Sequence, residues 1–253
     1  MPLSGSGETP AAQPLPVSFP PPVGTPPVRH RRPTDRRPGP ADPATDDGSA
    51  ARPAAEPTDL TDRQLVFFGA ETGEPAVADL AGLLAGPGEV HRMGGTARLS
   101  VEVTAAWRVH VLVAELARRG VRSSWTPTDD QRYAVRTAYT RAIVPLAAAW
   151  LRGSTQHPPP GFQLDGRRLR LWLAAAGVAD PPDFLLHLGG SEPARWAVVG
   201  AALAAAGLTG DLVATGPGGC AYRIAGRRRT RRLAELVGER PSASPPSAWP
   251  ARV

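Results

Sequence analysis

The sequence has no lysine, no asparagine and only one cysteine, Cys220, among its 253 residues. A lone cysteine excludes an intrachain disulfide and any zinc site built on several thiolates. Isoleucine occurs only at positions 143 and 224, and all 29 basic residues are arginine. A GC-rich coding bias produces that pattern by itself, so the distribution of the net charge of +6 says more than its size. Long apolar runs are missing as well. The longest, 142–151 and 196–208, are too short to span a bilayer. No basic start followed by an apolar stretch opens the chain, so no secretory leader is expected and a soluble cytoplasmic protein is.

Proline is plentiful and unevenly placed. Residues 1–60 hold 15 of the 30 prolines, and Phe19 is their only aromatic. Such a composition cannot bury enough apolar surface to offset the entropy of ordering. Residues 1–64 are therefore expected to be a disordered proline-rich tail with polyproline-like stretches, and 241–253 a second, shorter one. The remainder is long enough for one well-buried core. Residues 1–60 carry six arginines against seven acids, whereas 61–253 carry 23 against 16. The folded part is the basic part, which permits an anionic partner.

Compared with itself at an offset of 87 residues, the folded part repeats. Thr104-Ala105-Ala106 aligns with Ser191-Glu192-Pro193, each read as a hydroxyl N-cap opening a helix. Val109, Leu112, Val113 and Leu116 then form one apolar stripe, and Trp196, Val199, Gly200 and Leu203 repeat it. Both helices stop at a glycine, Gly120 and Gly207, as a left-handed C-cap favours. Residues 98–103 alternate as a half-buried strand, with Leu99 and Val101 aligned to Leu186 and Leu188. Strands at 121–126 and 208–213 lead through turns at 126–130 and 216–219 into return strands at 132–137 and 219–224. Closing helices are predicted at 139–152 and 227–239, and short opening helices at 75–85 and 167–176. Copy one has a hairpin at 89–103 turning on Gly94-Gly95, whereas copy two shows a clear strand only at 183–188. The expected fold is α+β, a duplicated αββαββα unit with pseudo-two-fold symmetry, copy one in 65–153 and copy two in 154–240.

Leu80-Ala81-Gly82-Leu83-Leu84-Ala85-Gly86-Pro87-Gly88 resembles the nine-residue motif of the LAGLIDADG homing endonucleases, its first four residues being identical. The second copy of the motif is Leu169-Arg170-Leu171-Trp172-Leu173-Ala174-Ala175-Ala176-Gly177. With Asp180-Pro181 after it, that segment is similar to the degenerate motif of the WhiA family, actinobacterial and Gram-positive regulators of sporulation and cell division. Their N-terminal domain is LAGLIDADG-like and lacks nuclease activity. The resemblance covers about residues 74–240 and implies a saddle whose sheet face lies along duplex DNA. In the nucleases a carboxylate just before the closing glycine of each motif holds the metal ions that activate water. Here those positions are Pro87 and Ala176, and the earlier acidic positions are Ala85 and Ala174. Glu89 and Asp180 stand nearby at unequal offsets and are read as solvated loop acids. WhiA continues into a helix-turn-helix domain, whereas no helix pair is expected in 241–253.

On the saddle face, strand phase leaves Arg98, Ser100, Glu102, Arg132, Ala134 and Arg136 outward in copy one. In copy two it leaves Leu185, His187, Ala221 and Arg223 outward. The expected DNA contacts are Arg98, Arg122, Arg132, Arg136 and Arg223, with Arg227 and Arg228 at the start of the last helix. Single outward arginines are ordinarily only solvated; the repeated pair Arg136 and Arg223 is the stronger signal. His91, His110, His157 and His187 show no metal-ligand spacing, so neither metal nor cofactor is expected. The leading expectation is a non-catalytic DNA-binding, transcription-regulatory module, nucleoid-associated when bound. One alternative is a protein-interaction module that engages a regulatory protein through the helical face or the proline-rich tail. The other is an active endonuclease.

Overall fold

The computed structural model describes residues 69–70, 73–189, 193–216 and 219–251. The tail expected at 1–64 lies outside the described residues, as do Ser191-Glu192 and Pro217-Gly218. A 3-10 turn at Val77–Leu80 leads into α1 (Ala81–Ala85), β1 (Glu89–Met93), β2 (Thr96–Val103) and α2 (Ala106–Arg118). Next come β3 (Ser123–Pro127), β4 (Tyr133–Thr137) and α3 (Val144–Trp150). A small hairpin of β5 (Leu151–Arg152) and β6 (Thr155–Gln156) joins the two copies. Copy two then runs α4 (Gly166–Ala176), β7 (Gly177–Asp180), β8 (Asp183–His187), α5 (Pro193–Ala205), β9 (Asp211–Ala214), β10 (Cys220–Ile224) and α6 (Arg227–Val237). Each copy builds a four-stranded antiparallel sheet, and the two strand orders, β1-β2-β4-β3 and β7-β8-β10-β9, are the same. The duplication read from the sequence is a duplication of topology.

One face of each sheet is buried under helices. Leu99, Val101 and Val103 of β2 and Phe184 and Leu186 of β8 are buried, as alternation requires. Val109, Leu112 and Leu116 of α2, and Val199 and Leu203 of α5, cover them with the predicted stripes. Gly120 and Gly207 end these helices at φ +69 and +75, where a side chain would be strained. The hydroxyl cap expected at Thr104 does not form: the N-cap is Ala105, without a side-chain bond.

Register corrects the alignment of the first hairpins. Ser100 pairs with Arg136 and Leu185 with Arg223, so Val101 occupies the place of Leu186, and Leu99 that of Phe184. A slip of two residues preserves the face, which is why the phase survives while the partners change. Copy two also has the first strand that the sequence failed to display, β7, closed onto β8 across Pro181-Pro182. It is only four residues long and begins immediately at the end of α4, so no turn signal announces it.

The segment expected to be a second disordered tail is anchored to the domain instead, with Ser244, Trp249 and Pro250 buried. Trp249 is buried, donates from Nε1 to the Gly238 carbonyl at 3.3 Å, and lies 5.3 Å beneath the Arg170 guanidinium. A single large aromatic finding a site outweighs the proline and serine around it. Among the described residues no helix is long and apolar enough to cross a membrane.

Candidate nucleic-acid interface

The two motif helices meet where the two copies join. A Cβ on Gly82 would lie 1.9 Å from the Arg168 carbonyl oxygen, so α1 and α4 touch backbone to backbone. One turn on, Gly86 faces the Trp172 ring, and Trp172 Nε1 donates to the His187 carbonyl at 2.8 Å. Glu89 and Val178 hold the same place in the two sheets, paired with Ser100 and Leu185. Gly88 and Gly177 are therefore equivalent, and so are Pro87 and Ala176 before them. Neither position presents a carboxylate to the seam.

Arginine stands there instead. Arg108 of α2 crosses into copy two, where Nη1 donates to the carbonyls of Leu173 at 3.2 Å and Ala174 at 2.9 Å, and Nη2 donates to Gly177. Arg195 of α5 crosses the other way, donating from Nη2 to the Leu84 carbonyl and to that of Gly86 at 2.9 Å. Both are buried. A cation suits the carbonyl end of a helix, where the macrodipole is negative. Burial lowers Arg108 to about 10, still charged at neutral pH, with Trp107 stacked 4.5 Å away. Burial first, and then the charge of Arg108, hold His187 below the ordinary histidine value. Sequence reading missed this pair, although identical residues at the repeat offset were the available signal.

Arginines and acids also form a buried network behind the seam. Arg119 meets Asp79 at 3.1 Å and Glu115 at 2.7 Å, while Arg167 and Arg170 of α4 reach Asp79 at 3.4 Å and Glu115 at 2.8 Å. Burial pushes Glu115 up, but hydrogen bonds and charge from Arg170 and Arg119 outweigh it and leave the carboxyl below its usual value. Each acid is contacted from both copies, so the network clamps them together. Among the described residues no group of three or more His, Cys, Asp and Glu could hold one metal ion.

The outward faces of the two sheets carry the arginines expected to contact DNA. In copy one, Arg136 sits between Ser100 and Ser124 and donates to Thr126 Oγ1 at 3.1 Å, with no ion pair among the described residues. Arg98 stacks 5.0 Å from the Tyr139 ring, and Arg122 is exposed. Arg132 is engaged with Glu102 at 3.1 Å and Asp130 at 3.4 Å. Ala134 and Ala221, expected outward, are on this face yet buried, because longer cross-strand neighbours close over a methyl group. In copy two, Arg223 is paired with Asp180 at 3.0 Å and lies 3.9 Å from Asp183. Arg227 and Arg228 are exposed at the start of α6 and edge a groove of about 1030 Å³ with Phe184, Pro182 and Trp249.

No protein-family model matches the chain, and no curated protein matches it in sequence. Solved structures do match. Full-length DUF199/WhiA from Thermatoga maritima aligns with a TM-score of 0.50 at 11% identity, over 71% of this chain and 62% of that one. The chain thus spans less than two thirds of that protein. The homing endonuclease I-WcaI, bound to its DNA recognition sequence, aligns at 0.48 and 11% over 71% of this chain and 88% of its own. The N-terminal LAGLIDADG domain of DUF199/WhiA aligns at 0.46 and 12% over 71% and 90%. The fold of this chain is LAGLIDADG-like.

Proposed function

We propose that this protein is a non-catalytic DNA-binding module with a regulatory role, docking its β-saddle on duplex DNA. The observation that carries the non-catalytic part is the exchanged pair Arg108 and Arg195 at the ends of the motif helices. Two buried guanidiniums with Pro87 and Ala176 beside them repel the divalent cations that hydrolysis of a phosphodiester needs. Docking is supported by the outward arginines of copy one, Arg98, Arg122 and Arg136, which no carboxylate neutralises among the described residues. Guanidiniums so placed suit phosphate oxygens and release counterions on contact.

The test is a mobility-shift titration with duplex DNA at low and at raised salt, followed by incubation with Mg²⁺ or Mn²⁺. Binding that weakens with salt and leaves the duplex intact is expected. No binding at low salt sinks the docking, and metal-dependent cleavage sinks the non-catalytic reading.

A protein-interaction module is the second reading. Trp125 and Leu212, at equivalent places on β3 and β9, are 48% and 46% exposed, which favours a partner protein along the sheet edges.

A further inference from the structure

The two halves of the saddle share a backbone plan but differ in charge. Register places the residues of the outer faces in one-to-one correspondence. Arg136 and Arg223 are equivalent, each at the centre of its sheet. Around Arg136 stand Ser124 across β3, and His91 and Arg98 on the first hairpin. The same three places around Arg223 are filled by Asp211, Asp180 and Asp183. Where copy one has Arg122, copy two has Thr209 at the repeat offset. Copy one therefore shows four guanidiniums, Arg98, Arg122, Arg132 and Arg136, against the carboxylates of Glu89, Glu102 and Asp130, and the latter two engage Arg132 alone among the four. Copy two shows one guanidinium against three carboxylates, two of which it contacts directly.

Resting on the DNA-binding reading above, we propose that the saddle engages duplex DNA on one side only, through the copy-one sheet. Phosphates approaching Arg223 meet a guanidinium already committed to Asp180 and a ring of negative charge that raises the cost of approach. Phosphates approaching Arg136 meet a donor that, among the described residues, is held only by the Thr126 hydroxyl, with Arg98 and Arg122 on the same face. Copy two contributes the seam and the packing that hold the copy-one sheet in shape, and its outer face stays off the nucleic acid.

The experiment is a fluorescence-anisotropy titration of the full chain against a duplex over a range of salt. Three phosphate contacts give a slope of log affinity on log salt of about −3. Arg136→Ala is expected to weaken binding several-fold and to flatten the slope by about one. Arg223→Ala is expected to leave both unchanged. Asp180→Asn, Asp183→Asn and Asp211→Asn together are expected to tighten binding about tenfold and steepen the slope, by releasing Arg223 to the DNA. Equal losses from Arg136→Ala and Arg223→Ala overturn the one-sided assignment while leaving DNA binding itself intact. No binding by the unaltered chain overturns both. Should the triple variant fail to fold, the comparison of the two single alanine variants still decides the matter.

Discussion

Arg108 and Arg195 lie one repeat length apart in the sequence and seal each other's repeats: each guanidinium leaves its own copy and caps the carbonyl end of the motif helix in the other. Five carbonyls at the buried seam accept from these two guanidiniums. The exchange ties the copies together with bonds that neither copy can make alone.

Removing one side of the exchange tests its weight. Arg108→Met keeps the stem but takes the guanidinium away from the carbonyls of Leu173, Ala174 and Gly177. A loss of about 3 kcal/mol in urea-induced unfolding is expected, with a similar loss for Arg195→Met. An unchanged midpoint in both variants would show that the capping bonds contribute nothing.

The contact between α1 and α4 leaves no room at Gly82. Gly82→Ala sets a methyl group 1.9 Å from the Arg168 carbonyl oxygen, so the helices must separate. The expected cost is at least ~3 kcal/mol, the upper end for overpacking, because backbone rather than a side chain must move. Gly95→Ala meets nothing within 4 Å and serves as the control, with an unchanged Tm.

Acid should loosen the clamp between the copies. The folded-state pKa of Glu115 lies below its unfolded value of 4.5, so its contribution is complete above that pH and is lost as pH falls through the depressed folded value. Glu115→Gln should cost roughly 3 kcal/mol near neutrality, because Arg119 and Arg170 lose a buried counter-charge. The gap from the unaltered chain should shrink in denaturation measured at about pH 3. A gap equal at both pH values would rule out the charge as its source.

Trp249 anchors the C-terminal segment. Trp249→Ala is expected to cost about 3–5 kcal/mol, as for other buried large aromatics, and to speed cleavage of the Glu239–Arg240 bond by glutamyl endopeptidase, since the bonds from Arg240 to Pro241 and Ser244 depend on that segment staying folded. Limited proteolysis with mass spectrometry reads the outcome. A cleavage pattern identical to the unaltered chain would show that the segment is held by something other than the tryptophan.

Strand phase and helix stripes were legible because they are short-range. Leu99 and Val101 must share a face, and Val109, Leu112 and Leu116 must share a stripe, whatever else the chain does. Register was not legible, since a slip of two residues puts Leu188 in place of Leu186 as the counterpart of Val101 in copy two without changing the face. The arginines of the saddle were visible as outward residues, but not their state. Asp180 is 43 residues from Arg223, and nothing in the local pattern around Arg223 announces a partner so far away.

The sequence by itself determined the repeat, its elements and the absence of acids at Pro87 and Ala176, because periodicity, caps and residue identity at a motif position are local properties. Only the tertiary structure decided which guanidiniums are spent internally and which remain on a surface. Charge environment is a sum over neighbours in space: the two copies superpose in topology, yet Arg136 ends among hydroxyls and Arg223 among carboxylates.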